Sequence, residues 1–357
     1  MKSYYYLLLT ALLFAGACSP QAKKTEVKEE QSISFPSPPL VEHIYTADPS
    51  AHIFEDKVFI YPSHDIDAGI PSNDNGDHFG MKDYHVLSMD KVGGKVTDHG
   101  VALDVADIPW ARRQLWAPDA AEKGGKYYLY FPAKRADDIF QIGVAVGDKP
   151  QGPFNAEPEA IAGSYSIDPA VFEDEDGKYY IYYGGIWGGQ LQKYRNNQYD
   201  EANELPGEDE PALGPIMAVL SEDMKSFGEE PKELQILDEA ANPIKAGDHD
   251  RRFFEAPWIH KYKGKYYLSY STGDTHFICY AIGDNPYGPF TYAGRVLEPV
   301  VGWTNHHSII EIEGQWYLFY HDSKLSEGIT HLRSVKMTKL EHDAGGKIKT
   351  IDPYPEE

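Results

Sequence analysis

Cysteine is almost missing from this sequence. Two of 357 residues are Cys, at positions 18 and 279, too few for a disulfide framework or a Cys-rich zinc site. Positive charge is also scarce: 33 Lys and Arg stand against 56 Asp and Glu, a net charge of −23. Phosphate backbones need a basic face, so nucleic acid is excluded as a partner, as is a basic patch for a membrane surface. The simplest meaning of the charge is solubility. No long stretch repeats apolar residues at i, i+3, i+4, i+7, and 32 Gly and 25 Pro interrupt the chain, which excludes a helical bundle. No Gly-rich phosphate loop, HExxH or G-x-S-x-G nucleophile elbow is present, and each of those absences removes a class of chemistry.

The one sustained apolar run is N-terminal and short. "MKSYYYLLLTALLFAGACSP" has Lys2, an apolar stretch to Phe14, and small residues before Cys18. This reads as a targeting segment, not a membrane span. Ala15-Gly16-Ala17-Cys18 is similar to a bacterial lipobox, although Ala15 stands where Leu is usual; the alternative is an ordinary secretory signal cut nearby. The expectation is a lipoprotein signal peptide over 1–17, lipid on Cys18, and a periplasmic or cell-surface location. Residues 18–40 are polar and proline-rich and read as a flexible tether.

What the chain has in abundance is aromatic residues, 13%, with 26 Tyr, which suits a β-rich protein that handles sugar-like ligands. One pattern recurs five times: "DKVFIYPS" at 56, "GKYYLYFP" at 125, "GKYYIYYG" at 177, "GKYYLSYS" at 264 and "GQWYLFYH" at 314. Each opens on a turn residue and continues as a strand. "GDKPQGPF" (147–154) and "GDNPYGPF" (283–290) follow the second and fourth of them and read as turns to a later strand. The irregular spacing excludes a tight solenoid but suits propeller blades with variable loops. The expected fold is all-β, a five-bladed β-propeller forming a single domain over 41–357.

Nine or ten residues before the second residue of each repeat (57, 126, 178, 265 and 315) lie Asp48 in "TADPSAHIF", Trp116 in "LWAPDAAE", Asp168 in "SIDPAVFED", Glu255 in "FEAPWIHKY" and Asn305-His306 in "TNHHSIIEI". If the blades are equivalent, these positions converge at one mouth of the central channel. Taken singly, Asp48 or Asp168 could be a turn residue, and Glu255 could pair with Arg251 or Arg252. Together, three acids in an apolar, aromatic setting repel one another and should spread their pKa values apart. Cleaving a glycosidic bond needs that division: an acid for the leaving oxygen and a base for water. Glu255, flanked by Phe253, Phe254 and Trp258, is the candidate acid, Asp48 the candidate base, and Asp168 the group that holds the acid's pKa up. His306 and His307 read as a metal site, a substrate contact or ordinary rim residues, the rim being the more common outcome for a His pair.

These motifs, with two "GPF" turns and "NHHSIIEIEGQWYLFYH", resemble glycoside hydrolase family 43 from about Glu42 to the end. The related fructosidase clan expects Arg-Asp-Pro and Glu-Cys where this chain has Ile167-Asp168-Pro169 and Glu255-Ala256. The resemblance implies inverting hydrolysis of xylosides and arabinosides with Asp48 as general base, Glu255 as general acid and Asp168 as pKa modulator and orienter. It implies a calcium ion in the central channel with His306 as a ligand, and a sugar contact from Arg333 in "HLRSVKM". The insertion 61–88 is expected to wall the sugar pocket with His64, Asp65 and Tyr84. Trp116 is a further candidate contact, as is Trp187 in "GGIWGGQLQKYRNN". The long loops are similar to those of β-xylosidase members acting on xylo-oligosaccharide ends. The rival readings are an endo-acting arabinanase and a non-catalytic sugar-binding surface lipoprotein.

Overall fold

The five repeated segments become the second strands of five blades: Lys57–Asp65, Lys126–Lys134, Tyr179–Tyr183, Lys265–Ser271 and Gln315–Asp322. A computed structural model describes Met1, residues 37–195 and residues 198–355. Apart from Met1, the expected signal segment and Cys18 lie outside the described residues, as does the tether up to residue 36. The described residues from 37 onward fall within one compact unit, and it is an all-β, five-bladed propeller.

In blades I and II the four strands follow chain order: Tyr45–Phe54, Lys57–Asp65, Asp83–Met89 and Thr97–Asp104, then Asp119–Lys123, Lys126–Lys134, Phe140–Gly147 and Asn155–Ala156. Blade III is built from Ala170–Glu173, Tyr179–Tyr183, Ile216–Val219 and Lys232–Glu233. Blade IV runs Glu255–Tyr262, Lys265–Ser271, Ile278–Gly283 and Phe290–Leu297, with Ile236–Leu237 added in parallel at its outer edge. The two "GPF" turns lead into the fourth strands of blades II and IV, as the sequence predicts. Blade V has His307–Ile312, Gln315–Asp322 and Ser334–Leu340. Its outer edge is covered from the other end of the chain: the amides of Leu40 and Thr46 donate to the carbonyls of Val335 and Arg333.

The first strand of each blade touches the first strand of the next, and the fifth touches the first again. These five strands therefore ring the axis. The second strands are packed on both faces, which is why they read as continuous aromatic runs and not as alternating ones. Tyr61, Tyr130 and Tyr182 hold the same place in that run in blades I to III. All three are buried, and their hydroxyls donate to the carbonyls of Pro150, Met224 and Pro286 in the following blade. The repeated tyrosine thus serves as a polar tie between blades as well as apolar filling.

Candidate active site

Asp48 lies within the first strand of blade I, Glu255 opens that of blade IV, and Asp168 and His306 come just before those of blades III and V. Two of these sites interrupt regular pairing: the register slips between Ala47 and Ser50 and between Glu255 and Trp258. Asp48, Asp168 and Ala256 have φ values of 50°, 56° and 57°, in the left-handed region that Asp tolerates better than most residues. A bulge at the end of a strand re-aims a side chain; here it turns side chains toward one cavity. That cavity is about 430 Å³ and is lined by Asp48, Asp168, Glu255, His306 and Arg333 among others, a volume in the range of small-ligand pockets, roughly 300–1,000 Å³.

The three carboxyls have different surroundings. Asp48 Oδ1 accepts from Arg333 Nη1 at 2.8 Å and Oδ2 from the Ser63 hydroxyl at 2.7 Å. Burial alone would raise its pKa, but the Arg333 guanidinium reverses this with help from the neighbouring histidines and Ser63, bringing it down to about 2. Among the described residues Glu255 has no hydrogen-bonded guanidinium, and its potential salt-bridge residues are committed elsewhere: Arg251 to Asp248 and Glu239, Arg252 to Asp274. Burial, reinforced by the Asp48 charge, lifts Glu255 to about 8. Asp168 is raised as well, by burial and then by the charges of Glu255 and Asp48, while its Oδ2 accepts the Ala256 amide at 2.9 Å. At neutral pH an ionised Asp48 therefore faces the same cavity as a protonated Glu255, with Asp168 raised beside them.

Arg333 is committed on several sides. Its Nε and Nη2 donate to the two oxygens of Asp65 at 2.8 and 2.7 Å, and its amide donates to Oδ2 at 2.9 Å. The same guanidinium reaches Asp48 and the Thr304 hydroxyl. His321, which closes the fifth repeat but was given no role there, is buried with its pKa lowered to about 3 by burial and the nearby Arg333 charge. Its neutral Nδ1 accepts the Asp48 amide at 3.0 Å.

The insertion 61–88 does wall the cavity, but not with the expected side chains. The lining comes from Ser72, Asn73, Asp74, Gly76, His78, Phe79 and Met81. His64 instead pairs with Asp83 at 2.6 Å, Asp65 is buried against Arg333, and Tyr84 is buried with its hydroxyl donating to the Trp116 carbonyl. None of the three lines the cavity; strand geometry and the demand of a buried arginine take them elsewhere. Trp116 and Trp187 do line it, joined by Phe254 and Trp303. Trp187, Phe254 and Trp303 pack together with ring centroids 5.2 to 5.9 Å apart. Two glycines set the closeness of the walls: a Cβ on Gly76 would stand 2.7 Å from the Trp116 ring, and one on Gly188 would stand 2.9 Å from the Asn75 carbonyl. Loops from blades I and III thus meet beside the cavity.

Residues 94–348 match the family described as Glycosyl hydrolases family 43. The chain belongs to that family. It is 62% identical to a xylosidase/arabinosidase of Bacteroides ovatus, with 88% of this chain and 97% of the relative covered. A relative from Humicola insolens, xylosidase/arabinosidase 43A, is 60% identical over 88% of this chain and 99% of its own length. Among solved structures, a family 43 β-xylosidase/α-arabinofuranosidase from a compost microbial metagenome, bound to xylotriose in a calcium-free form, is 68% identical. It superposes with a TM-score of 0.88, covering 89% of this chain and 98% of that one. In this family 43 glycosidase, Asp48, Asp168 and Glu255 line one cavity.

The family raises the question of calcium. His306 Nδ1 lies 3.8 Å from Asp48 Oδ1 and 3.8 Å from Asp168 Oδ2, beyond hydrogen-bond reach and wide enough for an intervening water or ion. Burial lowers its pKa to about 4, so its ring is neutral and has a lone pair to offer. One neutral imidazole between carboxylates fits a hydrated hard cation.

Proposed function

We propose that this chain is an exo-acting, inverting β-xylosidase. It releases xylose from the non-reducing ends of xylan-derived oligosaccharides and accepts arabinosides at the same site. The observation that carries the reading is the split between two carboxyls facing one cavity, Asp48 at about 2 and Glu255 at about 8. Asp48 takes a proton from water as its oxygen bonds to the anomeric carbon. Glu255 gives its proton to the glycosidic oxygen as that bond breaks. Inversion needs room for the water, so the two carboxyls work roughly 6.5–9.5 Å apart. Asp168 is a positioning residue, tied to the Ala256 amide next to Glu255. Arg333 keeps Asp48 ionised.

A calcium ion held by His306 would supply fixed positive charge beside Asp48 and Asp168. The meeting of the blade I and blade III loops favours a pocket for chain ends over an open groove, and the relatives named xylosidase/arabinosidase support the sugars chosen. The N-terminal pattern around Cys18 supports lipid anchoring at the periplasmic or cell-surface face of a membrane.

Digestion of xylotetraose, followed by NMR, tests the reading. Xylose and xylotriose should appear first, with the new xylose in the α configuration. A random mixture of internal fragments would replace exo by endo action, β-xylose as first product would replace inversion by retention, and binding without release would make the chain a sugar-capture protein.

A further inference from the structure

Outside the cavity, blade I carries a chain of histidines and carboxylates that the glycosidase reading does not use. His64 is the next-to-last residue of the second strand, and Asp83 and His85 open the third, two residues apart and so on one face. The Ser63–Tyr84 register sets Asp83 opposite His64. One ligand atom from each of His64, Asp83 and His85 lies within 4.8 Å of the others, and the two imidazole centroids are 4.5 Å apart. Their side chains are 17%, 19% and 12% exposed, enough for solvent to reach them.

The surroundings of the cluster give it a direction. His85 Nδ1 is bonded to Asp98 Oδ1 at 2.9 Å, which leaves Nε2 to face Asp83, at 3.9 Å. Asp98 is itself fixed, by the Gly100 amide at 2.8 Å and His43 Nε2 at 2.8 Å. A carboxylate on the far nitrogen of an imidazole is how metal-ligating histidines are usually oriented. A satisfied hydrogen-bond pair between His64 and Asp83 would not by itself require a second imidazole beside it, tilted by 55°, with its other nitrogen held by a carboxylate.

We infer that His64, Asp83 and His85 form a binding site for a divalent transition ion of the zinc class, with water completing the tetrahedron. Two imidazoles and one carboxylate suit zinc or cobalt and not calcium or magnesium, which prefer oxygen. The imidazole keeps its one proton on Nε2, any second proton passing to water, when the ion enters and replaces the hydrogen bond between His64 Nδ1 and Asp83. Their atoms, 2.6 Å apart, then open to about 3.3 Å, the edge of a tetrahedron with 2.0–2.1 Å bonds. The ion would cross-link the second and third strands of blade I, next to Asp65, the residue that grips Arg333. This inference is independent of the proposed substrate.

The test uses the full, untagged chain, stripped with chelator and then held in excess calcium so that oxygen-rich sites are filled. Zinc is titrated by calorimetry and cobalt by visible absorption, and anomalous diffraction is collected at the zinc edge from soaked crystals. One zinc per chain is expected, with tetrahedral cobalt bands and an anomalous peak between His64, Asp83 and His85. His64→Gln and His85→Gln should each weaken zinc at least tenfold, and Asp98→Asn by about 10- to 100-fold through the orienting contact. His306→Ala should leave zinc affinity unchanged. No zinc bound at micromolar concentration, an anomalous peak elsewhere, unchanged affinity in both histidine variants, or loss in His306→Ala would each overturn the inference. The diffraction arm needs no variant, so a misfolded mutant does not blunt the test.

Discussion

Two carboxyls of like chemistry take opposite protonation states because one has a guanidinium and the other does not. The acid's value depends on how poor the leaving group is. Glu255→Ala should retain far more activity on a nitrophenyl xyloside than on xylobiose, whereas Asp48→Ala should lose both, about 100-fold or more. Equal losses on the two substrates, in variants with unchanged circular dichroism, would mean the roles are misassigned. Arg333 gives a second prediction at this scale. Lysine cannot span Asp65 and Asp48 together, so Arg333→Lys should let the Asp48 pKa rise from about 2 and move the acid limb of kcat/KM to higher pH. An acid limb left in place would show that Asp48 owes its ionisation to something else. The alkaline limb belongs to Glu255, whose proton is lost near 8. Asp168 is itself held protonated beside Glu255, so Asp168→Asn should leave that limb near 8; a limb that moves downward would mean Asp168 is ionised there.

The second strands show how element and sequence correspond. Tyr182 is buried and donates to the Pro286 carbonyl of the next blade at 2.9 Å. Tyr182→Phe keeps the ring and orphans the carbonyl, so it should destabilise the fold by about 1–2 kcal/mol, read from the urea midpoint, with kcat unchanged. No shift in midpoint would reduce the tyrosine tie to packing alone. These strands were legible because both faces are covered, which writes a continuous aromatic run into the chain. The outermost strand of blade III was not: Lys232–Glu233 is two residues long and exposed and carries no periodic signal, whereas the equally short Asn155–Ala156 was legible only through the "GPF" turn before it. The carboxylate ring was legible through blade equivalence, one residue per repeat. The supports of that ring were not. His321 meets Asp48 across 273 positions and Arg333 meets Asp65 across 268, contacts made by closing the circle and by no local pattern. The same limit holds for the insertion: residues 61–88 read as a wall, but which of its side chains face the cavity is set by strand geometry and by the buried Arg333, which turn His64, Asp65 and Tyr84 away.

At the scale of the whole molecule, the interior stores titratable groups that pull stability in opposite directions. His260 is buried with neither ring nitrogen bonded, packed among the rings of Tyr267, Trp316 and His342, and burial lowers its pKa to about 3. His306, His321 and His342 are lowered likewise. The unfolded chain binds these protons near its ordinary 6.5 while the folded chain refuses them, so their contribution is intact above that pH and is lost as pH falls toward the folded values. Glu255 acts in the other sense. Its folded pKa of about 8 lies above the unfolded value, so its favourable contribution is complete below the unfolded pKa and is lost as pH rises toward and through 8. The group that makes the site an acid therefore weakens the fold under the conditions in which it works. Glu255→Gln removes the ionisation while keeping the shape. It should raise the melting temperature at pH 8 to 9 by several degrees, leave it nearly unchanged at pH 4, and abolish turnover of xylobiose. His260→Phe should act only on the acid side, lowering the slope of stability against pH by about one proton, roughly 1.4 kcal/mol per pH unit, with activity at pH 7 intact. If Glu255→Gln melts with the wild type across the whole range, Glu255 is not held protonated by its burial, and the division of labour between it and Asp48 fails with it.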